Sequence, residues 1–274
     1  MTIQIASQIS NRLTLLQYNV NKSRDKVMIG LFQDPKLGDY DILAIQEPWR
    51  NTHNDQGYNP SSSSFHLVEK ASESTKTAIY INRRIPLSQW DEIYKEKDLI
   101  TIRLVIPGAK EDRIYIHSIY LPPPNSHSER QTPQVFYRLQ EQLEHRGEHI
   151  ILGDLNLHHP LWNSPTYLRH HYLADELLEI VSNIGASLAT PKGLITRDCH
   201  RGIHHEQTSI DLAFTTTKAI EFCRVAYEIE QSSDHLPIEL GVLLPEPTAR
   251  KQTSRLLWKE LDLEIFLATL DRET

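Results

Sequence analysis

Short apolar runs, each stopped by a polar residue, Gly or Pro, set the tightest limit on what this chain can fold into. Leu13 to Val20, Asp41 to Gln46, Thr77 to Ile81, Leu99 to Ile106, Arg113 to Tyr120 and His149 to Leu152 are such runs. They are too short for core helices and rich in β-compatible residues, so they read as buried strands. Arg113 to Tyr120 alternates Ile114, Ile116 and Ser118 against Tyr115, His117 and Ile119, before Pro122, Pro123 and Pro124 end it. Ser209 to Thr215, Cys223 to Glu228 and Ile238 to Leu244 are further strands. Two amphipathic helices lie between them. Gln131 to Arg146 repeats Val135, Leu139 and Leu143 at helical spacing and closes at Gly147. Tyr167 to Ile184 carries Leu173, Leu177, Ile180, Val181 and Ile184 on one stripe, with Gly185 beyond it. Strands outnumber helices and the two are interleaved, which predicts a sheet-based α/β domain with helices outside.

The bulk properties exclude several classes. At 274 residues the chain is long enough to bury a core. Its two cysteines, Cys199 and Cys223, are too few for a disulfide scaffold and fit a reducing compartment. No apolar run reaches the roughly 18 residues of a membrane span, and the first residues lack a leader pattern. With 29 basic and 36 acidic residues the net charge is -7, so a broad basic face for polyanions is excluded. The chain divides into a domain at 1–244 and a segment at 245–274. Pro245 and Pro247 mark the break, and Leu256 to Leu270 reads as an amphipathic helix.

The chemistry concentrates where the apolar strands end. Gln17-Tyr18-Asn19 closes one, Gln46-Glu47-Pro48-Trp49 another, and Ile119-Tyr120-Leu121 a third. Gly153-Asp154-Leu155-Asn156 spaces an acid and an amide two apart, hence on one side of an extended chain. Ser209-Ile210-Asp211 and Ser233-Asp234-His235-Leu236-Pro237 complete the set. Each has an ordinary explanation alone: a solvated strand end, a capping Asp, or a tight turn whose side chains bond their own backbone. Together, in this order and beside strands, they read as a polar constellation for catalysis.

These motifs resemble those of the endonuclease/exonuclease/phosphatase superfamily over roughly residues 13–244. Gln46-Glu47-Pro48-Trp49, Asn156-x-His158-His159-Pro160-Leu161-Trp162 and Ser209-Ile210-Asp211-Leu212-Ala213-Phe214 are more narrowly similar to the apurinic-like endonuclease of non-LTR retrotransposons. The resemblance implies a four-layer α/β sandwich, two packed mixed β-sheets flanked by helices. It implies metal-dependent hydrolysis of DNA phosphodiester bonds with Mg²⁺, Mn²⁺ being a substitute. Glu47, Asn19 and Asp234 would hold the metal. Asp154 would accept the proton of the attacking water, and Asn156 would hold that water or a phosphate oxygen. His235 would donate to the phosphate, Asp211 would fix its tautomer, and Tyr120 would contact the phosphate or leaving oxygen.

Several expectations follow from the same resemblance. The Pro191 to Gln207 segment corresponds to a hairpin that lies against DNA in retrotransposon endonucleases, with Arg197 and Arg201 as contacts; a plain surface loop is the alternative. Lys22 and Arg24 are further phosphate-contact candidates, though a solvated helix start explains them equally. Cys199-His200 with His204-His205 offers a loose zinc spacing. Trp258, Asp262 and Phe266 resemble segments that follow such endonucleases, so the expected partners are DNA and a reverse transcriptase domain or protein downstream, with no membrane. The location expected from a DNA substrate is the nucleus. The alternatives are an abasic-site repair endonuclease or small-phosphoester phosphatase, and, from another class, a non-catalytic domesticated DNA-binding module. Glu47, Asp154, Asp211 and Asp234 supply four of the seven excess negative charges. The acidic total is therefore compatible with a nucleic-acid substrate bound through local contacts and a metal.

Overall fold

The computed structural model describes residues 11–51, 53–106, 113–124, 132–202, 204–229 and 232–244. The segment 245–274, with Trp258, Asp262 and Phe266, lies outside the described residues. In chain order the strands are β1 (Arg12–Asn19), β2 (Ile42–Gln46), β3 (Phe65–Glu69), β4 (Thr77–Asn82), β5 (Trp90–Lys95), β6 (Leu99–Val105) and β7 (Arg113–Tyr120). They continue with β8 (Glu148–Asp154), β9 (Ser187–Leu188), β10 (Arg197–Arg201), β11 (His204–Thr208), β12 (Asp211–Thr215), β13 (Ile220–Val225) and β14 (Ile238–Leu243). The α-helices are α1 (Ile29–Gln33), α2 (Gln134–Leu143) and α3 (Tyr172–Asn183), with short helical turns at Arg24–Met28, Pro35–Asp39 and Leu87–Gln89.

Two six-stranded sheets carry the fold, ordered β13-β14-β1-β2-β4-β3 and β5-β6-β7-β8-β12-β9. Both are mixed. β1 runs parallel to β2, and β7 parallel to β8, while the remaining pairs are antiparallel. Leu15, Ile42, Ile79, Ile102, Ile116 and Leu152 interdigitate between the sheets. Leu16, Leu43 and Tyr80 face the other way, onto α1 and the turns beside it. Ile119, Ile151 and Phe214 face α2 and α3. The result is the expected four layers, and it explains why the central strands are apolar on both faces.

Local sequence sets the ends of the elements. In α2, Pro133 stands just before the first helical residue, and Val135, Phe136, Leu139 and Leu143 form the buried stripe. Truncating Phe136, which is fully buried, would cost about 3–5 kcal/mol. α3 begins at Tyr172 rather than at the expected Tyr167, because the His171 side chain caps the helix by accepting the Leu173 N–H at 3.3 Å. It ends at Asn183, two residues before Gly185, whose φ of 73° only glycine adopts freely. The expected strand at 223–228 lies three residues earlier, at Ile220–Val225, and the strand at 209–215 starts at Asp211. No helix among the described residues is long and apolar enough to cross a membrane.

Candidate active site

The two parallel pairs place four strand ends on one edge of the sandwich, where side chains from both sheets meet. Registers do the positioning. In the second sheet Tyr120 pairs with Asp154 and Asp154 with Asp211, so three polar side chains stand in a row. In the first sheet Asn19 pairs with Gln46, and Glu47 follows at the next position. Gly153 makes the row possible: a Cβ there would overlap the Ile119 carbonyl oxygen of β7. Thr196, at the root of the β10–β11 hairpin, offers its Oγ1 to the backbone N–H groups of Ile210 and Asp211, each at 3.0 Å.

A cleft of about 660 Å³ opens over this edge, lined by Asn19, Glu47, Tyr120, Asp154, Asn156, Arg197, Asp234 and His235 among others. Asn19 donates its side-chain N–H to Asp154 Oδ2 at 2.8 Å, across the seam between the sheets. Asp211 lies behind the wall, fully buried, with Oδ2 at 2.8 Å from His235 Nδ1. Tyr120 and Lys76 both donate to Glu47 Oε1, at 2.8 and 3.1 Å, and Oε2 has no partner among the described residues. Asp154 and Asn156 are not two positions of an extended strand. Asn156 takes a φ of 48°, and its N–H turns back to Asp154 Oδ1 at 3.1 Å. Its amide then donates to the Leu121 carbonyl at 3.0 Å, so both side chains still reach the cleft.

Five non-glycine residues among those described have positive φ. Four stand at or beside the cleft: Asn21 at 48°, Lys22 at 55°, Glu47 at 45° and Asn156 at 48°. Each costs on the order of 1–3 kcal/mol, and strain of this kind collects where a side chain must be aimed. The Lys22 N–H bonds the Glu47 carbonyl at 2.8 Å and fixes the two turns to each other.

Electrostatics separates the titrating groups. Burial, then the charge of Asp211, pushes the Asp154 carboxyl up to about 7, against the pull of His235, Asn19 and the Asn156 N–H. For His235 burial acts downward, but the charge and hydrogen bond of Asp211, helped by Asp154 and Asp234, outweigh it and raise the imidazole to about 9. Burial also opposes ionisation of Glu47, yet its bonds from Tyr120 and Lys76 and the Lys76 and Lys22 charges hold it below the usual range. The site thus contains a neutral-to-anionic acid beside a cationic imidazole at neutral pH.

The remaining expected residues are placed as follows. Arg197 grips Asp234 Oδ2 through Nε at 3.1 Å and Nη2 at 3.0 Å, and Asn21 donates to Asp234 Oδ1 at 3.3 Å. Arg24 lies over the Trp49 ring, 4.9 Å from its centroid, and beside Asp25. The Pro191 to Gln207 segment does contain a hairpin, β10 paired with β11, and Arg201 is on it. Its root is bonded to the His235 loop: the Asp198 N–H to the Asp234 carbonyl at 2.8 Å, and the Leu236 N–H to the Thr196 carbonyl at 2.7 Å. His158, part of the Asn156–Trp162 motif, lines the cleft, and Lys76, Arg169 and His170 contribute to or border it without having been singled out by sequence. Nothing in the local pattern of these last three marks them, since tertiary packing alone brings them there.

Among the described residues, three groups have His and carboxylate atoms within 4.8 Å of one another: Asp154, Asp211 and His235; His159, His170 and Asp175; and Asp198, His200 and His205. Only the first is a hard-ion setting. His159 Nδ1 already accepts the Leu161 N–H at 3.1 Å, so its neutral ring keeps a proton on Nε2, towards Asp175. His200 and His205 stack with centroids 3.9 Å apart at 10°, which sets their in-plane lone pairs side by side instead of converging. Cys199 is a neighbour of His200 along the strand and so faces the opposite side of the hairpin, away from the zinc set suggested by spacing. Beside the cleft, Asp154 and Asp211 are buried together, and the cleft adds Glu47 Oε2, which has no partner among the described residues. Buried negative charge in excess, with oxygen donors, fits a divalent hard cation.

Residues 114–239 match the sequence model of the family described as "Endonuclease-reverse transcriptase". No curated protein matches the chain by sequence. Among solved structures, the endonuclease domain of TRAS1, a telomere-specific non-LTR retrotransposon, superposes with a TM-score of 0.64 at 19% identity, over 85% of this chain and 100% of that one. An endonuclease/exonuclease/phosphatase family protein from Leptotrichia buccalis gives 0.57 at 15%, over 83% and 98%. The AP endonuclease LMAP from Leishmania major gives 0.60 at 13%, over 85% and 88%. The motif order, the paired mixed sheets, the sequence match over residues 114–239 and these superpositions agree: the chain has the fold of these endonuclease/exonuclease/phosphatase proteins and is similar in sequence to that family over residues 114–239.

Proposed function

We propose that this protein is a metal-dependent DNA endonuclease of the retrotransposon type, which nicks target DNA to expose a primer end. The observation that carries the reading is the meeting, on one sheet edge, of a buried acid with raised pKa and an imidazolium held by a second acid. Mg²⁺, or Mn²⁺ in its place, would be held by Glu47 with Asn19, Asp154 and Asp234, and when bound it would supply neutralisation of the developing phosphate charge. Asp154 accepts a proton from a water directed at phosphorus, and Asn156 orients that water or a phosphate oxygen. His235, its Nδ1 occupied by Asp211, offers Nε2–H to a non-bridging oxygen as charge builds. Tyr120 presents its hydroxyl beside the leaving oxygen once the Glu47 bond is exchanged.

DNA is the favoured substrate because the family match joins an endonuclease to a reverse transcriptase, and because the TRAS1 domain shares the fold over its whole length. Lys22, Arg24, Arg197 and Arg201 are the proposed backbone contacts, with a reverse transcriptase as partner and the nucleus as the site of action. Supercoiled-plasmid nicking with Mg²⁺ and with EDTA tests the reading. Mg²⁺-dependent nicking of intact duplex is expected, and Asp154→Ala or His235→Ala should lower it by about 10²–10⁴-fold in a folded protein. Wild-type nicking by either variant would sink the assignment, and cleavage confined to abasic sites would move it to the repair class.

A further inference from the structure

Beneath the cleft a line of uncharged polar side chains crosses from one sheet to the other. Gln17, on β1, is buried to 1% exposure, and both hydrogens of its amide are used. Nε2 donates to Gln46 Oε1 at 2.7 Å and to Asp211 Oδ1 at 2.8 Å. Gln46 donates in turn to Ser118 Oγ at 3.0 Å, and Ser118 shares a 2.5 Å hydrogen bond with Thr77. Gln17, Gln46 and Thr77 belong to the first sheet, Ser118 and Asp211 to the second. The orientation of the Gln17 amide is forced, because a flip would set its oxygen against two acceptors. In the arrangement adopted, Gln17 Oε1 is buried with no hydrogen-bond partner. A purely structural core amide satisfies both its ends. This one leaves its own oxygen unpaired and spends both donors on acceptors, one of them the carboxylate that holds His235.

We propose that Gln17 is a positioning residue for the catalytic imidazole. By occupying Asp211 Oδ1 it fixes the rotation of that carboxylate, so that Oδ2 receives His235 Nδ1–H and Nε2 is the nitrogen presented to the cleft. Gln46 and Ser118 hold the Gln17 amide in place. The line starts on the strand that carries Asn19, so the packing of the two sheets sets the aim of His235. The inference rests on the nuclease reading for its catalytic meaning, but its geometric content is measured without turnover.

The test uses the full chain with Gln17→Met, which keeps the length and removes the donors, and Gln17→Asn, which keeps the amide and shortens the reach. The His235 Nδ1 proton, bonded to Asp211 in a buried site, should give a sheltered imidazole N–H resonance in the unsubstituted protein. In either variant that resonance should broaden away, and kcat for plasmid nicking should fall about 10–100-fold with KM within twofold. A folded variant that retains both the resonance and kcat overturns the proposal, as does absence of the resonance from the unsubstituted protein. Should Gln17→Met fail to fold, Gln17→Asn carries the same two outcomes. Loss of the resonance in a protein that never nicks leaves the positioning role standing and removes only the nuclease reading.

Discussion

Asn19 and Asp154 come from different sheets and are 135 positions apart, yet the Asn19 amide donates directly to Asp154 Oδ2 at 2.8 Å. The His235 charge, this bond and the Asn156 N–H are what Asp154 has to offset burial beside Asp211, and they do not suffice: its carboxyl stays at about 7. A group held in this state costs folding energy for the sake of chemistry. Asp154→Asn should therefore abolish nicking while raising the metal-free melting temperature at pH 8 by about 2 °C or more. Equal or lower melting of the variant would show that Asp154 is not a strained acid.

Activity should follow a bell in pH. The ascending limb belongs to Asp154, which must lose its proton at about 7, and the descending limb to His235, which loses its own at about 9. A cation beside Asp154 favours the carboxylate, so raising Mg²⁺ should move the ascending limb to lower pH. Rates measured from pH 5 to 10 at two Mg²⁺ concentrations check both points, and an ascending limb indifferent to Mg²⁺ would separate Asp154 from the metal.

Folding stability should fall on the acid side. Burial holds His117 well below its ordinary value, holds His149 below it, and brings His158 to about 4. An unfolded histidine takes a proton near pH 6.5, so each of these contributes stability that is present above that pH and lost as pH falls towards 4, about 1.4 kcal/mol per unit for each uncompensated proton. Asp154 acts in the opposite sense over this window, since the folded chain keeps its proton up to about 7, but it is one group against three. His235, raised to about 9, changes nothing below 6.5 and subtracts stability as pH rises through 9. Melting curves at pH 7, 6 and 5 should shift steadily downward; a flat series contradicts the account.

Gly153 is required by contact. Gly153→Ala would drive a methyl group into the carbonyl oxygen of Ile119, its partner on the parallel β7 strand one pair before Tyr120 and Asp154. The expected cost is more than about 2 kcal/mol, read by urea titration, with nicking lost in step because Asp154 is the next residue. An Ala variant of normal stability would mean that the two strands can separate without harm to the site.

Legibility in the sequence tracked burial. β1, β2, β4, β7 and β8 are apolar because both faces are covered, and their runs announced them. β3, β5 and β9 are edge or end strands with mixed faces, such as Trp90–Lys95, half exposed and charged, so no apolar run marked them. The hairpin Arg197–Arg201 with His204–Thr208 has no apolar alternation at all, and only the family resemblance suggested it. The same division holds at the site. Glu47, Asp154, Asp211 and His235 stand in motifs at strand ends and could be read directly. Lys76, Ser118 and Thr77 acquire their roles from sheet packing, which sets Lys76 against Glu47 and Ser118 against Gln46, and no local pattern encodes that.

The seam between the sheets has a consequence for the life of the polypeptide. Asn19 and Gln17 leave the ribosome before His235, which emerges more than two hundred residues later, with β14 following it to close the first sheet against β1. A nascent chain that stops anywhere before residue 235 has no imidazole to aim, and a chain that stops soon after it lacks the strand that anchors β1. Neither half holds the whole centre, so on the proposed reading truncation, proteolysis or stalled synthesis would yield an inert product instead of a rogue nickase. Building the centre from opposite ends of the two-sheet domain would make an intact domain a condition of the proposed cutting.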